Sequence, residues 1–159
     1  MKVFIANFGR ENYEWPQCKA RSTIAVMNDL EVHGFRKAGD REAYVDRCLK
    51  KLRTLKGMVP TRPVASRWFN LMSICAETVG DLWIHREKNQ FWWTTSKADV
   101  PTFERRVEPI GDKKEVVICH KPCEPWSNRT RTGVPTARLE WFAPEGPRVP
   151  LYRRDPPTA

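Results

Sequence analysis

The chain has 159 residues, 40% hydrophobic and 30% charged, with seven Trp and a net charge of +9. That is the size of one domain able to bury a core without metals or disulfides, and its aromatic load excludes wholesale disorder. No run of about 18 apolar residues exists, which excludes a membrane-spanning helix, and the cationic surplus attracts polyanions such as DNA.

Residues 2–8 are rich in Val, Phe and Ile and predict a buried strand. This apolar stretch is too short for a secretory signal. Residues 9–23 hold Gly9, Asn12, Pro16 and Ser22 among charges and predict a loop that carries Tyr13 and Trp15. Ile24–Met27 can form a short strand, with Asn28-Asp29 as a turn. Asp40 is a predicted N-cap, and Tyr44, Val45, Cys48, Leu49, Leu52 and Leu55 then mark one face of a helix over 41–56. Its other face carries Arg47, Lys50, Lys51, Arg53 and Lys56. Thr61-Arg62-Pro63 opens a second helix, stopped at Gly80. Its wide apolar arc, which includes Trp68, predicts deep packing.

The period then changes. Leu82–Arg86 and Gln90–Thr95 read as a hairpin turned at Glu87-Lys88-Asn89. Further strands are expected over 103–110, 115–120 and 138–142, with a polar loop over 121–136. Five Pro follow from Pro144 onward. The predicted architecture is α+β: a curved, mostly antiparallel sheet or small barrel with two main helices packed on it. One domain spans 1–143, and 144–159 is a Pro-rich tail or the start of a linker.

Three groups of residues are candidates for chemistry. Cys119-His120-Lys121-Pro122-Cys123 places two thiols and an imidazole together. One such cluster cannot complete a tetrahedral zinc site, and Cys48 and Cys75 lie on apolar helix faces. No metal or cofactor is expected. Five Cys at irregular spacing read as free thiols of a reducing, cytoplasmic compartment. Asp81, Glu87 and Lys88 faintly resemble a nuclease pattern, but solvated hairpin charges explain them more simply. No nucleophile elbow, phosphate-cradling Gly loop or His-Glu-x-x-His is present, so no enzyme is expected.

The third group is aromatic. Trp15, Trp92, Trp93, Trp126 and Trp141 sit in or beside polar, basic segments, as base stacking requires. The plain alternative is that these rings fill the core. The blocks Lys2–Gly9, Asn12–Cys18, Gly80–Thr95 and Cys119–Trp126 carry a resemblance. An N-terminal strand, helices, then Gly80-Asp81 opening a β-run and an aromatic hairpin resemble EVE and other PUA-like domains. The same blocks are similar to an N-terminal region of bacterial HNH-type, restriction-like proteins. The resemblance implies a small barrel that holds a modified or flipped base in an aromatic pocket. It also implies a reader that a longer chain would join to a nuclease, in restriction or phage defence. The expected base-binding residues are Trp15, Trp92, Trp93, Trp126, Tyr13 and His85. The expected phosphate contacts are Lys50, Lys51, Arg53, Arg129, Arg131 and Arg138. Two other readings remain: a module that binds an acidic protein partner, and a small metal-dependent nuclease.

Overall fold

The structure, a computed structural model, describes residues 1–54 and 56–129. Leu55, Arg131, Arg138, the strand expected over 138–142 and the tail 144–159 lie outside the described residues.

β1 (Val3–Ile5) is followed by a 3-10 turn (Arg10–Asn12) and α1 (Trp15–Arg21), where a loop is expected. Pro16 sits in the first turn of α1, where its missing N–H costs nothing. Ser22 closes the helix in the left-handed region at φ 54°, its N–H bonded to the Cys18 carbonyl. β2 (Thr23–Asp29) runs through the expected Asn28-Asp29 turn because β6 (Glu115–Pro122) pairs with it over seven residues, from Thr23 opposite Pro122 to Asp29 opposite Val116. Asp29 then caps α2 (Leu30–Lys37), accepting the Glu31 N–H at 2.9 Å.

α3 (Arg41–Lys51) starts at the predicted cap, Asp40, which accepts the Ala43 N–H at 3.0 Å. It ends earlier than the periodicity implies, because Leu52 turns to extended backbone. α4 (Arg62–Glu77) is capped by Thr61 and carries Pro63 in its first turn. It ends at Thr78 rather than Gly80. The Thr78 hydroxyl donates to Asp81 at 2.8 Å and accepts the Trp83 indole N–H at 3.2 Å, which draws the chain out of the helix.

β3 (Leu82–Glu87) and β4 (Gln90–Thr95) form the predicted hairpin, with Lys88 at φ 53° in its turn. β5 (Thr102–Val107) precedes β6. The strands make two three-stranded sheets, ordered β1-β3-β4 and β2-β6-β5. All pairs are antiparallel except β1 with β3. The segment after β6 runs beside β4 and ties the sheets through Trp93–Ser127 and Ser96–Cys123 bridges. The fold is therefore α+β and mostly antiparallel, with four helices. The described strands form two sheets, neither a single curved sheet nor a closed barrel.

Two apolar clusters hold these parts together. The larger contains Phe8, Trp15, Ile24, Met72, Ile118 and Trp126. The smaller joins α2, α3 and α4 through Val32, Tyr44, Val45, Cys48 and Ala65. α4 contributes to both, which accounts for its wide apolar arc.

Candidate functional site

The structure brings four of the expected base-binding residues together, but as neighbours of one another. The Trp15 ring lies 4.3 Å from His85, 5.1 Å from Trp126 and 5.7 Å from Trp92, centroid to centroid. Trp15 is 3% exposed and Trp126 is 7% exposed, so both are core rings rather than walls of an open pocket. Trp126 further donates its indole N–H to the Thr23 carbonyl at 2.9 Å. The reason is the unexpected helix: α1 turns Trp15 and Cys18, three residues apart, onto one inward face. Their spacing is the signal that sequence reasoning passed over.

His85 is buried, and that burial lowers its pKa, so it packs as a neutral imidazole. Trp92 is half-buried. The Lys19 ammonium lies 4.7 Å from its ring centroid and 5.3 Å from that of Trp15, and pairs with Glu87 at 3.3 Å. Trp93 is also half-buried, and its indole N–H bonds the Arg129 carbonyl. Tyr13 packs against the larger core. A Cβ at Gly9, whose φ is 84°, would meet the Tyr13 ring at 2.3 Å, so only glycine fits there.

A buried polar knot joins the sheet β2-β6-β5 to the start of α1. Glu14, 1% exposed, accepts from His120 Nε2 at 2.9 Å and from the Arg106 guanidinium. The other imidazole nitrogen, Nδ1, meets the Thr23 hydroxyl at 2.7 Å. Glu14, Glu104 and His120 are the one grouping among the described residues with metal-ligand reach. Arg106 pairs with both carboxylates, so a cation is already in contact with each.

The Cys119, His120 and Cys123 group does not converge. His120 serves Glu14, while the Cys75 thiol donates to the Ile24 carbonyl at 3.6 Å, and its interaction with the neighbouring Cys119 thiol holds Cys119 below the ordinary thiol range and Cys75 well above it. Cys123 pairs with Ser96 at the sheet junction, and burial pushes its thiol up to about 11. Elemental analysis of the purified protein is therefore expected to find less than stoichiometric zinc; one bound zinc per chain would contradict this assignment. Asp81 and Glu87 stand at opposite ends of β3. Asp81 accepts the Lys2 N–H at 2.7 Å and Glu87 pairs with Lys19, so they form no joint carboxylate site.

The concave site lies elsewhere. A cavity of about 510 Å³ opens between β2, the helices α3 and α4, and the turn from β5 to β6. This is within the usual range of ligand pockets, about 300–1,000 Å³. Asn28, 5% exposed, lines it; its Oδ1 accepts from the Tyr44 hydroxyl at 3.4 Å, and its Nδ2 has no partner. Such an orphan is uncommon, since most buried polar groups are bonded. Tyr44 and Trp68 supply aromatic wall. Trp68, expected as a core ring, is half-buried because its side chain lines this cavity.

Glu108 also lines the cavity. Burial raises its pKa, and Lys114 and Arg10 partly offset that rise. Arg10, Arg53 and Lys114 supply positive charge to the lining, and Lys114 lies 3.8 Å from Asp29. A second hollow of about 420 Å³ shares Asp29, Leu52 and Lys114 with the first and adds Lys51. Of the predicted phosphate contacts, Lys51 and Arg53 thus border the hollows. Lys50 is exposed on α3, and Arg129 is exposed beyond the sheet junction. Sequence reasoning missed Asn28 by reading it as a turn. A polar residue ending the apolar run Ile24–Met27 was the available signal.

The fold and site define an α+β protein with a cation-bordered cavity between β2, α3, α4 and the β5–β6 turn. No protein-family model matches the chain, and no curated protein or solved structure matches it.

Proposed function

We propose that this chain is a DNA-binding reader domain that takes an extruded or modified base into the cavity beside Asn28. One observation carries the reading. A base-sized hollow has in its lining a buried amide, Asn28, whose Nδ2 has no partner, two aromatic side chains in its wall, and Arg10, Arg53 and Lys114 around it. A base lifted from a duplex needs a flat apolar surface, a few polar groups for its edge, and cations for the flanking phosphates. Here the half-buried Trp68 supplies the surface, and Lys51, Arg53 and Lys114 hold the backbone. Lys50 lies on the same helix as Lys51 and extends that cationic strip.

In this reading the two sheets, tied at Trp93–Ser127 and Ser96–Cys123, are an opened form of a PUA-like barrel. The domain binds DNA without cutting it, and a nuclease joined to it in a longer chain would act on the marked site in restriction or phage defence. The setting is cytoplasmic, which suits five buried free thiols. No helix among the described residues is long and apolar enough to cross a membrane.

Binding to a short DNA duplex is expected to weaken about tenfold or more between 50 and 200 mM salt, as several released counterions require. Fluorescence anisotropy across a salt series measures this directly. A flat response would remove the phosphate contacts, and with them the proposal.

A further inference from the structure

We propose that two copies of this chain join edge to edge through β5, antiparallel, about a two-fold axis at Arg105. The inference stands on the fold and does not depend on the reader function. β5 is the outer strand of its sheet, paired with β6 on one side and with no strand among the described residues on the other. Such an edge leaves a row of N–H and C=O groups that a second strand can take.

The register follows from which backbone groups are left over. In an antiparallel ladder, bonded and unbonded pairs alternate. Glu108 donates its N–H to the Lys114 carbonyl at 2.8 Å, one pair beyond Val107 opposite Glu115. Thr102, Glu104 and Arg106 therefore turn their backbone groups to β6, and Phe103, Arg105 and Val107 turn theirs outward. The other side of β6 agrees. Cys123 donates its N–H to the Ser22 carbonyl at 3.0 Å, so the odd-numbered residues of β6 serve β2 and the even-numbered ones serve β5. Pro101 and Pro109, with no N–H to give, stand four residues either side of Arg105. A ladder centred on Phe103 or on Val107 would set a proline opposite Arg105. Centred on Arg105 it meets neither, and Phe103, Arg105 and Val107 bond Val107, Arg105 and Phe103 of the second copy.

The side chains match in that register. On one face the exposed Phe103 lies across from Val107 of the second copy, and the exposed Val107 lies across from its Phe103. On the other face Glu104 lies across from Arg106, and Arg106 from Glu104, opposite charges both times. The two Arg105 side chains meet at the axis, where each is held by its own Glu115, whose two carboxylate oxygens lie 2.9 Å from the guanidinium. The two-fold axis repeats each pair, so one short patch is complementary to itself. A contact built on a strand of six residues is small, and the dimer is weak and reversible.

The test is sedimentation velocity on the full chain over about 5–500 μM, where contacts of this size associate. The average mass is expected to rise with concentration toward twice that of the monomer. Added salt should favour the dimer, because copies of charge +9 repel each other, and it acts in the opposite sense on DNA binding. Phe103→Glu should raise the Kd about tenfold or more, since it sets a carboxylate against an apolar side chain twice. Adding Val107→Lys should recover most of that loss, because the register puts positions 103 and 107 face to face. Arg105→Pro should abolish the dimer and keep the melting temperature near the parent's, because the lost N–H points away from β6. A monomer mass at every concentration overturns the proposal, and so does a dimer that survives both Phe103→Glu and Arg105→Pro. A monomer whose Phe103→Glu variant melts early also overturns it, and gives the edge to a segment of the same chain.

Discussion

Trp15→Ala should lower the melting temperature by about 6–20 °C, because deleting a core indole costs about 3–5 kcal/mol and each kcal/mol shifts a domain of this size by about 2–4 °C. Trp15 touches Phe8, His85, Trp92 and Trp126 at once, so no single neighbour can move in to fill the space. DNA affinity should fall only as far as the folded fraction falls. Trp68→Ala makes the contrast. Its ring is half-buried and lines the cavity, so a lost stacking surface of about 1–3 kcal/mol predicts about five- to a hundredfold weaker duplex binding, with a smaller loss of stability. Thermal melting and duplex titration of the two variants side by side separate core from site. Should Trp15→Ala melt like the parent yet bind DNA poorly, the aromatic cluster under Lys19 would be the site and the cavity would not.

Glu14→Ala is the second large effect. Glu14 is a carboxylate held almost wholly out of water by His120 and Arg106. Removing it leaves a buried imidazole and a partly buried guanidinium facing each other without the charge that reconciled them. Breaking a buried pair from one side costs about 3–5 kcal/mol, and the lower end applies because Arg106 keeps part of its contact with solvent. Urea unfolding should show the midpoint drop with little change in slope. Glu14→Gln keeps the shape and one acceptor, so it should lie between the parent and the alanine variant. If alanine costs less than about 1 kcal/mol, the knot does not clamp α1 to the second sheet.

Local rules account for much of the fold. Asp40 caps the helix it was expected to cap, and the second helix opens at Thr61-Arg62-Pro63 with Pro63 in its first turn. The hairpin 82–95 and the strand beginning at Glu115 follow from period-two runs of β-branched and aromatic residues. Those signals need only a few neighbouring residues, so they are readable without a partner. α1 was not readable in this way. Seven residues give a helix about two turns, too short for a period to stand out, and Pro16 looks the same in a loop as at a helix start.

Asn28 and the tryptophans show the same limit at the site. Asn28 has the composition of a turn residue, yet it lies in a strand because the whole length of β2 pairs with β6. Trp15 and Trp68 changed places with expectation. The one in a polar, basic segment is core, and the one on a regular apolar face lines the cavity. Flanking residues report what lies beside a side chain along the backbone, whereas burial depends on what folds across from it.

By itself the sequence determined the α+β class, the main helix starts, the hairpin and the cationic balance of +9, since each depends on local spacing or on summed composition. Only the tertiary structure decided that the strands divide into two sheets, that His120 bonds Glu14, and that a buried amide nitrogen, Asn28 Nδ2, is left without a partner beside a cavity bordered by Arg10, Arg53 and Lys114. Each of these depends on contacts between residues far apart in the chain, and such contacts exist only once the apolar clusters have closed.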